Sequence, residues 1–211
     1  MIKAILFDLD GTILDTNDLI LNSFKHSFKT HLDLELPREE IVKFFGEPLQ
    51  YSLAKYGEDK LENLISTYRS YNEENHDSNV TLFKGVKEGL KVLKDKNFKL
   101  AIVTSKRESM TRRGLDLFGL TECFDVIITP EATKEHKPNG EPVLKACEVL
   151  GIKPEEAIMV GDSHNDILCG KNAGAKTGLV KYTALDQSEL LKLYPDYLVD
   201  SIEEFAFVND K

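Results

Sequence analysis

The sequence contains few cysteines. Cys123, Cys147 and Cys169 are odd in number and widely spaced. None belongs to a Cys-x-x-Cys pair, and no nearby histidine completes a zinc-binding pattern, so neither a disulfide framework nor a structural zinc site is predicted. We expect all three to be small buried hydrophobic side chains in a reducing compartment.

Long apolar runs are absent as well. The chain has no stretch of 18 consecutive apolar residues, and its first residues do not follow the pattern of a signal peptide. We therefore expect a cytoplasmic protein without a membrane partner.

Positive charge is scarce relative to negative charge. The chain has 27 lysines and arginines against 36 aspartates and glutamates, which gives a net charge of −9. Because a nucleic-acid backbone requires a basic binding face, nucleic acid is not an expected partner. A small phosphorylated substrate is compatible with this charge, since a divalent cation and two or three basic side chains can reverse the local sign.

The N-terminal segment carries the first functional signal. Residues 2–7 form a short apolar run typical of a buried parallel strand, and Asp8 and Asp10 follow it. Alternation along a strand points both carboxylates to one side, and Gly11 and Thr12 then suit a tight turn with exposed backbone N–H groups. A helix N-cap is the structural alternative for either aspartate. Two close carboxylates at a strand end favour a site that shares a cation or a proton.

From Phe83 onward, apolar segments alternate with helical ones. Strands are predicted at 99–105, 124–128, 157–162, 177–180 and 197–199, and helices at 86–95, 107–118, 141–150, 164–173 and the C-terminus. This alternation predicts an α/β fold, a Rossmann-like parallel sheet with helices on both faces.

The segment between the first strand and this series shows helical spacing only. Its predicted helices begin at Asp18, Pro37, Pro48 and about Asp59, and Gly46 is a helix stop. We therefore predict two domains. Residues 1–14 and 82–211 form the core, and residues 15–81 form a small inserted α-helical cap.

Three further polar segments follow predicted strands. Thr104-Ser105-Lys106 could bind phosphate oxygens or could cap a helix. Lys137 precedes a proline between a strand and a helix, although a lone lysine is usually solvated. Asp162 and Asp166 lie one helical turn apart and, with Asp8, could form an all-oxygen Mg²⁺ site, although either could be an N-cap alone.

Asp-Leu-Asp-Gly-Thr at residues 8–12 resembles the nucleophile motif of haloacid dehalogenase superfamily phosphatases. The other segments follow in that superfamily's order, each at a predicted strand end. One departure is Asn139-Gly140, because the family more often has Asp-Pro or Asn-Pro at this point. The resemblance implies a phosphatase core with a helical cap.

The resemblance also implies the role of each core residue. Asp8 would be the nucleophile and would form an aspartyl-phosphate, while Asp10 would act as general acid and base. Mg²⁺ would be held by Asp8, the Asp10 carbonyl and Asp162. Catalytic Lys137 would bind phosphate oxygens together with substrate-binding residues, and Asp166 would support Lys137 or the metal's waters. The substrate-binding residues implied in the core are Gly11, Thr12, Thr104, Ser105 and Lys106.

The cap is expected to select the substrate. Residues 67–77, with segments 15–17 and 45–49, resemble the cap of a group of inorganic pyrophosphatases in the superfamily. Pyrophosphate needs cations at both ends, so Arg69, with Lys43 or His76, is expected to bind the leaving phosphate. Glu47 departs from the uncharged residue expected at its position.

Two other functions remain open at this point. The nearest is hydrolysis of phosphoglycolate or another small phosphomonoester, in which a basic group of the cap would contact the rest of the ester. A more distant one is a non-catalytic, phosphate-responsive binding module, which also uses an aspartate cluster, Mg²⁺ and a lysine. The length of the chain and its helical insertion favour the phosphatase.

Overall fold

The computed structural model describes residues 1–210 of the 211-residue chain. In chain order, its strands are β1 (Ala4–Phe7), β2 (Leu14–Asp15), β3 (Thr81–Leu82), β4 (Lys99–Val103), β5 (Val126–Ile128), β6 (Ala157–Gly161), β7 (Lys176–Val180) and β8 (Tyr197–Val199). Six of them form a parallel sheet in the order β5-β4-β1-β6-β7-β8. The parallel sheet predicted from the sequence is confirmed.

Helices cover both faces of this sheet. In chain order, the helices of the protein are α1 (Asn17–Leu32), α2 (Arg38–Val42), α3 (Leu49–Gly57), α4 (Leu61–Asn79), α5 (Val86–Asp95), α6 (Glu108–Leu117), α7 (Glu141–Leu150), α8 (His164–Ala173) and α9 (Gln187–Leu191). Helices α5 to α8 pack on the two faces of the sheet. Alternate residues of β1 enter opposite apolar layers: Ile5 and Phe7 pack in one, and Ala4 and Leu6 in the other. This alternation places β1 at the centre of the molecule with both faces buried.

The cap contains the four helices from α1 to α4 and has an aromatic core of its own. Phe28 is fully buried. Its ring centroid lies 5.9 Å from that of Phe24, 6.3 Å from that of Phe44 and 5.1 Å from that of Tyr56. Since these aromatic residues belong to α1, α3 and the segment after α2, their packing holds the cap helices together.

Two short antiparallel strands connect the cap to the core. Leu14 pairs with Leu82 and Asp15 with Thr81, so β2 and β3 form a two-residue ribbon. This ribbon was not predicted, because a strand of two residues is too short to show a periodic pattern. Both predicted domain boundaries, 14/15 and 81/82, lie within it.

Other details differ from the sequence-based expectations. The helix expected to reach Gly46 ends at Val42 and continues as turns, α9 was not predicted, and the last element is a 3₁₀ helix at Ile202–Phe207. Cys147 and Cys169 are buried as expected, whereas Cys123 is only half-buried. Within residues 1–210, no helix combines the length and the apolar character needed to cross a membrane.

Replacing Phe28 by alanine tests the cap core. Because the ring is fully buried among aromatic side chains, Phe28→Ala should lower the free energy of unfolding by about 3–5 kcal/mol, measured by urea denaturation. Tyr51→Ala is the matched control, since Tyr51 is 64% exposed on a cap helix and its loss should change stability by less than about 0.5 kcal/mol. Equal losses in the two variants would contradict the packing described above.

Candidate active site

The polar residues at the strand ends meet at one cavity. Asp8, Thr104 and Asp162 directly follow β1, β4 and β6, which are neighbours in the sheet. All three line a cavity of about 240 Å³ between the core and the cap. Ser105, Lys106 and Lys137 line the same cavity. The predicted core residues are therefore gathered at the carboxyl edge of the sheet, where open α/β folds place their sites.

Lys137 connects two of the aspartates. Its ammonium group donates to Oδ1 of Asp8 at 2.7 Å, to Oδ1 of Asp166 at 2.7 Å and to the carbonyl of Val103 at 3.2 Å. Only 5% of its side chain is exposed. With three acceptors around its three donors, Lys137 is fixed in position beside Asp8.

Asp166 in turn is held by the start of α8. Its Oδ2 accepts hydrogen bonds from the backbone N–H of Ser163 at 3.1 Å and from the hydroxyl of Ser163 at 2.6 Å. A Cβ on Gly161 would lie 2.2 Å from Cγ of Asp166, so this approach requires glycine. Asp166 is thus both a capping residue and the support of Lys137.

The site holds more buried negative charge than Lys137 neutralises. Burial raises the pKa of Asp8 to about 7, against the attraction of Lys137 and with the repulsion of Asp166. Burial and the charges of Asp166 and Asp8 also raise the pKa of Asp162 well above its usual range. Burial opposes the charged form of Lys137, but the two carboxylates outweigh it and raise the pKa of the lysine. The site contains three buried carboxylates and one ammonium group, so it favours an additional cation or bound protons.

The carboxylates are arranged in a way that fits a divalent cation. One oxygen from each of Asp8, Asp162 and Asp166 lies within 4.8 Å of the others, and all three residues are buried. Hard cations such as Mg²⁺ prefer carboxylate oxygens, and a double positive charge would balance the excess negative charge. The donor set therefore fits the predicted metal, with Asp8, Asp162 and Asp166 as its three carboxylates.

The turn after Asp10 does not expose its backbone N–H groups as the sequence predicted. The backbone N–H of Gly11 donates to Leu14 at 2.8 Å and that of Thr12 to Leu9 at 3.4 Å, so both groups close the turn instead of facing a phosphate. Thr12 is fully buried, and its hydroxyl has no hydrogen-bond partner among residues 1–210. Gly11 does line the cavity. Its φ is +83°, and a Cβ there would lie 2.3 Å from Oδ2 of Asp162.

Lys106 contacts a different group from the one expected. It was predicted to bind substrate, and its ammonium group donates to both oxygens of Asp10, at 2.8 and 3.1 Å. Its backbone N–H donates to the hydroxyl of Thr104 at 3.2 Å. The segment after β4 thus positions Asp10 through Lys106 and also contributes Thr104 to the cavity.

On the cap side, the structure places one of the three predicted basic residues at the cavity. Arg69 lines it, and in the described part of the chain Arg69 forms no salt bridge, unlike the other four arginines. Lys43 lies outside, where its largely exposed side chain pairs with Glu40 at 2.7 Å. Arg69 is therefore the cap cation available to an anionic ligand.

His76 also lies outside the cavity. It is fully buried, its Nδ1 lies 2.9 Å from Oδ1 of Asp77, and a Cβ on Gly114 of α6 would lie 3.6 Å from its ring. Burial lowers the pKa of His76 despite the hydrogen bond with Asp77. Because α6 covers this side chain, His76 does not face the cavity, and its expected contact with a leaving phosphate is contradicted. The position of His76 along its helix could not reveal this cover.

Glu47 lines the cavity but is not a free carboxylate. Its Oε2 accepts hydrogen bonds from Ser52 at 3.0 Å and from Lys55 at 2.8 Å. The negative charge that departs from the expected cap pattern is therefore offset within the cap itself.

One contact between the cap and the core was not predicted. The side-chain amide of Asn165 donates to the carbonyl of Gly46. Gly46 has φ +78°, and a Cβ there would lie 2.6 Å from Cβ of Ser163. The two partners are 119 residues apart in sequence. The identity of Asn165 alone therefore could not predict a contact with the cap.

Family comparison agrees with this geometry. Residues 5–180 match the haloacid dehalogenase-like hydrolases, so the chain belongs to that family. The predicted superfamily resemblance is confirmed, and the chain is an enzyme. The alternative of a non-catalytic binding module is not supported.

Two named relatives and one solved structure are similar to nearly the whole chain. A Clostridium perfringens protein provisionally named pyrophosphatase PpaX is 56% identical over 211 residues, covering 100% of this chain and 99% of that protein. Pyrophosphatase PpaX of Halalkalibacterium halodurans is 43% identical over 203 residues, covering 96% and 94% of the two chains. A haloacid dehalogenase-like hydrolase structure from Streptococcus pneumoniae is 29% identical, with a TM-score of 0.87 and coverage of 97% and 96%. The chain is thus a phosphatase of this family whose close relatives carry a pyrophosphatase name.

Gly11→Ala tests the contact between the first turn and Asp162. The methyl group would collide with the carboxylate, and the displaced Asp162 should lower phosphatase kcat/KM about a hundredfold. Gly85→Ala is the matched control, because its φ of +82° is almost the same and nothing lies within 4 Å of its Cβ position. Both variants should lose about 1–2 kcal/mol of stability from backbone strain. Gly11→Ala should lose more because of the collision, and only Gly11→Ala should lose activity. Similar activity losses in both would contradict this assignment.

Proposed function

We propose that this chain is a Mg²⁺-dependent phosphatase that hydrolyses inorganic pyrophosphate through an aspartyl-phosphate on Asp8, in the cytoplasm. The observation that carries the proposal is the pairing of buried Asp8 with Lys137 at one end of the cavity, with Arg69 available on the cap side. A cation on the core side and a cation on the cap side suit the two phosphates of one small anion. The names of the relatives support the same substrate.

In the first half-reaction, a carboxylate oxygen of Asp8 attacks one phosphorus atom, and the bond to the bridging oxygen breaks. The Lys137 ammonium, 2.7 Å from Oδ1 of Asp8, offsets negative charge on the nucleophile and on the incoming phosphate. The hydroxyl of Thr104 lies at the same cavity and can bind a phosphate oxygen without adding charge. The products of this step are the phosphorylated Asp8 and orthophosphate.

Asp10 carries a proton between the two half-reactions. It protonates the leaving oxygen in the first and takes a proton from the attacking water in the second, so it returns to its starting state. The hydrogen bonds from Lys106 to both of its oxygens position the carboxylate. The water attacks phosphorus, the bond to Asp8 breaks, and a second orthophosphate leaves.

Asp8 and Asp162, with Asp166 beside them, would hold Mg²⁺. When bound, the ion offsets negative charge on the phosphate and on the Asp8 carboxylate. Asp166 keeps Lys137 in place at the same time, because its Oδ1 accepts a hydrogen bond from the ammonium group. The metal and the lysine therefore depend on the same carboxylate cluster.

A phosphomonoester such as phosphoglycolate is the alternative substrate. Its carboxylate could also pair with Arg69, but it carries less charge than a second phosphate. Pyrophosphate therefore makes fuller use of Arg69, which has no acidic partner among residues 1–210, and Glu47, whose charge is offset by Lys55, does not oppose it.

The direct test is phosphate release with Mg²⁺ from pyrophosphate and from phosphoglycolate. Pyrophosphate should have a kcat/KM about a hundredfold higher, equivalent to about 2.7 kcal/mol of transition-state stabilisation. Arg69→Ala should reduce this preference, and Lys43→Ala should not, because Lys43 is paired outside the cavity. Asp8→Asn should remove turnover of both substrates. A preference for phosphoglycolate would discard pyrophosphate and leave the core chemistry standing.

Magnesium should also change stability without substrate. At about 100 times its Kd, Mg²⁺ should add about 2.7 kcal/mol to the free energy of unfolding of the wild-type protein. Asp162→Asn should reduce that gain, yet without Mg²⁺ it should be no less stable than wild type, because it removes a carboxylate repelled by Asp166 and Asp8. Asp18→Asn, whose partner is Arg38 at the surface, should keep the full gain. An unchanged gain in Asp162→Asn would exclude it as a ligand.

A further inference from the structure

An ion pair at the edge of the cavity joins the cap to the core. Arg107 precedes α6 and donates through Nη2 to Oε1 of Glu73, which belongs to α4 of the cap. Both residues line the same cavity as Asp8 and Arg69. Their side chains are 44% and 45% exposed, so the pair is in contact with solvent.

The cations at the cavity differ in how firmly they are held. Lys137 and Lys106 are 5% and 10% exposed and bind carboxylates of the core. Arg107 forms its salt bridge with an exposed carboxylate, that of Glu73. A solvent-exposed pair contributes only about 0–1 kcal/mol, whereas an arginine can bind phosphate through two parallel hydrogen bonds. An incoming phosphate can therefore replace Glu73 at little cost.

We infer that Arg107 is a specificity-determining residue, which leaves Glu73 and binds the phosphate of pyrophosphate that is distal to Asp8, together with Arg69. This inference rests on the proposed function. Glu73 then acts as a competing anion that occupies Arg107 when no substrate is bound. Because the pair spans the cap and the core, the exchange makes the distal phosphate a ligand of both domains.

A neighbouring arginine, Arg113, allows substrate binding by Arg107 to be distinguished from a role in holding the cap against the core. Arg113 also links α6 to α4, since its Nε donates to Asp77 at 2.8 Å and its Nη1 to the carbonyl of Glu73 at 2.9 Å. It does not line the cavity. If Arg107 only fastened the cap, Arg107→Gln and Arg113→Gln would have the same effect on every substrate.

The experiment measures KM and kcat for pyrophosphate and for phenyl phosphate, which has no distal phosphate. Arg107→Gln should raise KM for pyrophosphate about tenfold and change KM for phenyl phosphate less than about twofold. Glu73→Gln should lower KM for pyrophosphate about threefold, because it removes the competing carboxylate. Arg113→Gln should shift both substrates equally or not at all.

The outcomes distinguish failure of the inference from failure of the proposed substrate. Equal changes for both substrates in Arg107→Gln and Arg113→Gln would overturn the specificity role in favour of cap docking. Pyrophosphate turnover by the wild type with an unchanged KM in Arg107→Gln would overturn the inference alone. Wild-type turnover of phenyl phosphate without turnover of pyrophosphate would overturn the proposed substrate and the inference with it. Glu73→Gln keeps the test decisive if Arg107→Gln folds poorly, since its expected effect has the opposite sign.

Discussion

The buried contact of Lys137 with Asp8 and Asp166 is the interaction on which the site depends. Its members come from the end of β1, the loop after β5 and the first turn of α8, so it forms only when the parallel sheet is complete. Burying these charges is costly unless each is paired and hydrogen-bonded, and removing one partner would leave an unpaired buried charge. The geometry of Asp8, the proposed nucleophile, is therefore tied to the integrity of the core.

The same contact leaves the site short of positive charge. Lys137 is shared by Asp8 and Asp166, and Asp162 adds a third buried carboxylate within reach of both. In the proposed function, this imbalance lets an overall acidic protein act on an anion, because the carboxylates would hold a divalent cation and the cap contributes Arg69. A divalent cation alone would balance these charges, and Arg69 would then leave the cavity positive, so the bound cation is expected to favour binding of a phosphate.

Much of the fold and the core site could be predicted because the signals are local. Each main strand is an apolar run, and Asp8, Thr104 and Asp162 directly follow theirs. What could not be predicted depends on contacts between distant segments. The two-residue ribbon has no period, α6 covers His76, and the Lys106–Asp10 pair joins residues 96 positions apart. The turn hydrogen bonds that occupy the N–H groups of Gly11 and Thr12 were equally invisible in the residue types.

The contact between the cap and the core lies next to the proposed catalytic residues. Asn165, which binds Gly46 of the cap, immediately precedes Asp166, which holds Lys137. The first turn of α8 thus contacts the cap with one side chain and Lys137 with the next. If the cap shifts at Gly46, we expect this turn, and with it Lys137, to be affected. Since the cap helices also carry Arg69, we expect the position of the cap and the position of Lys137 to be coupled through this turn.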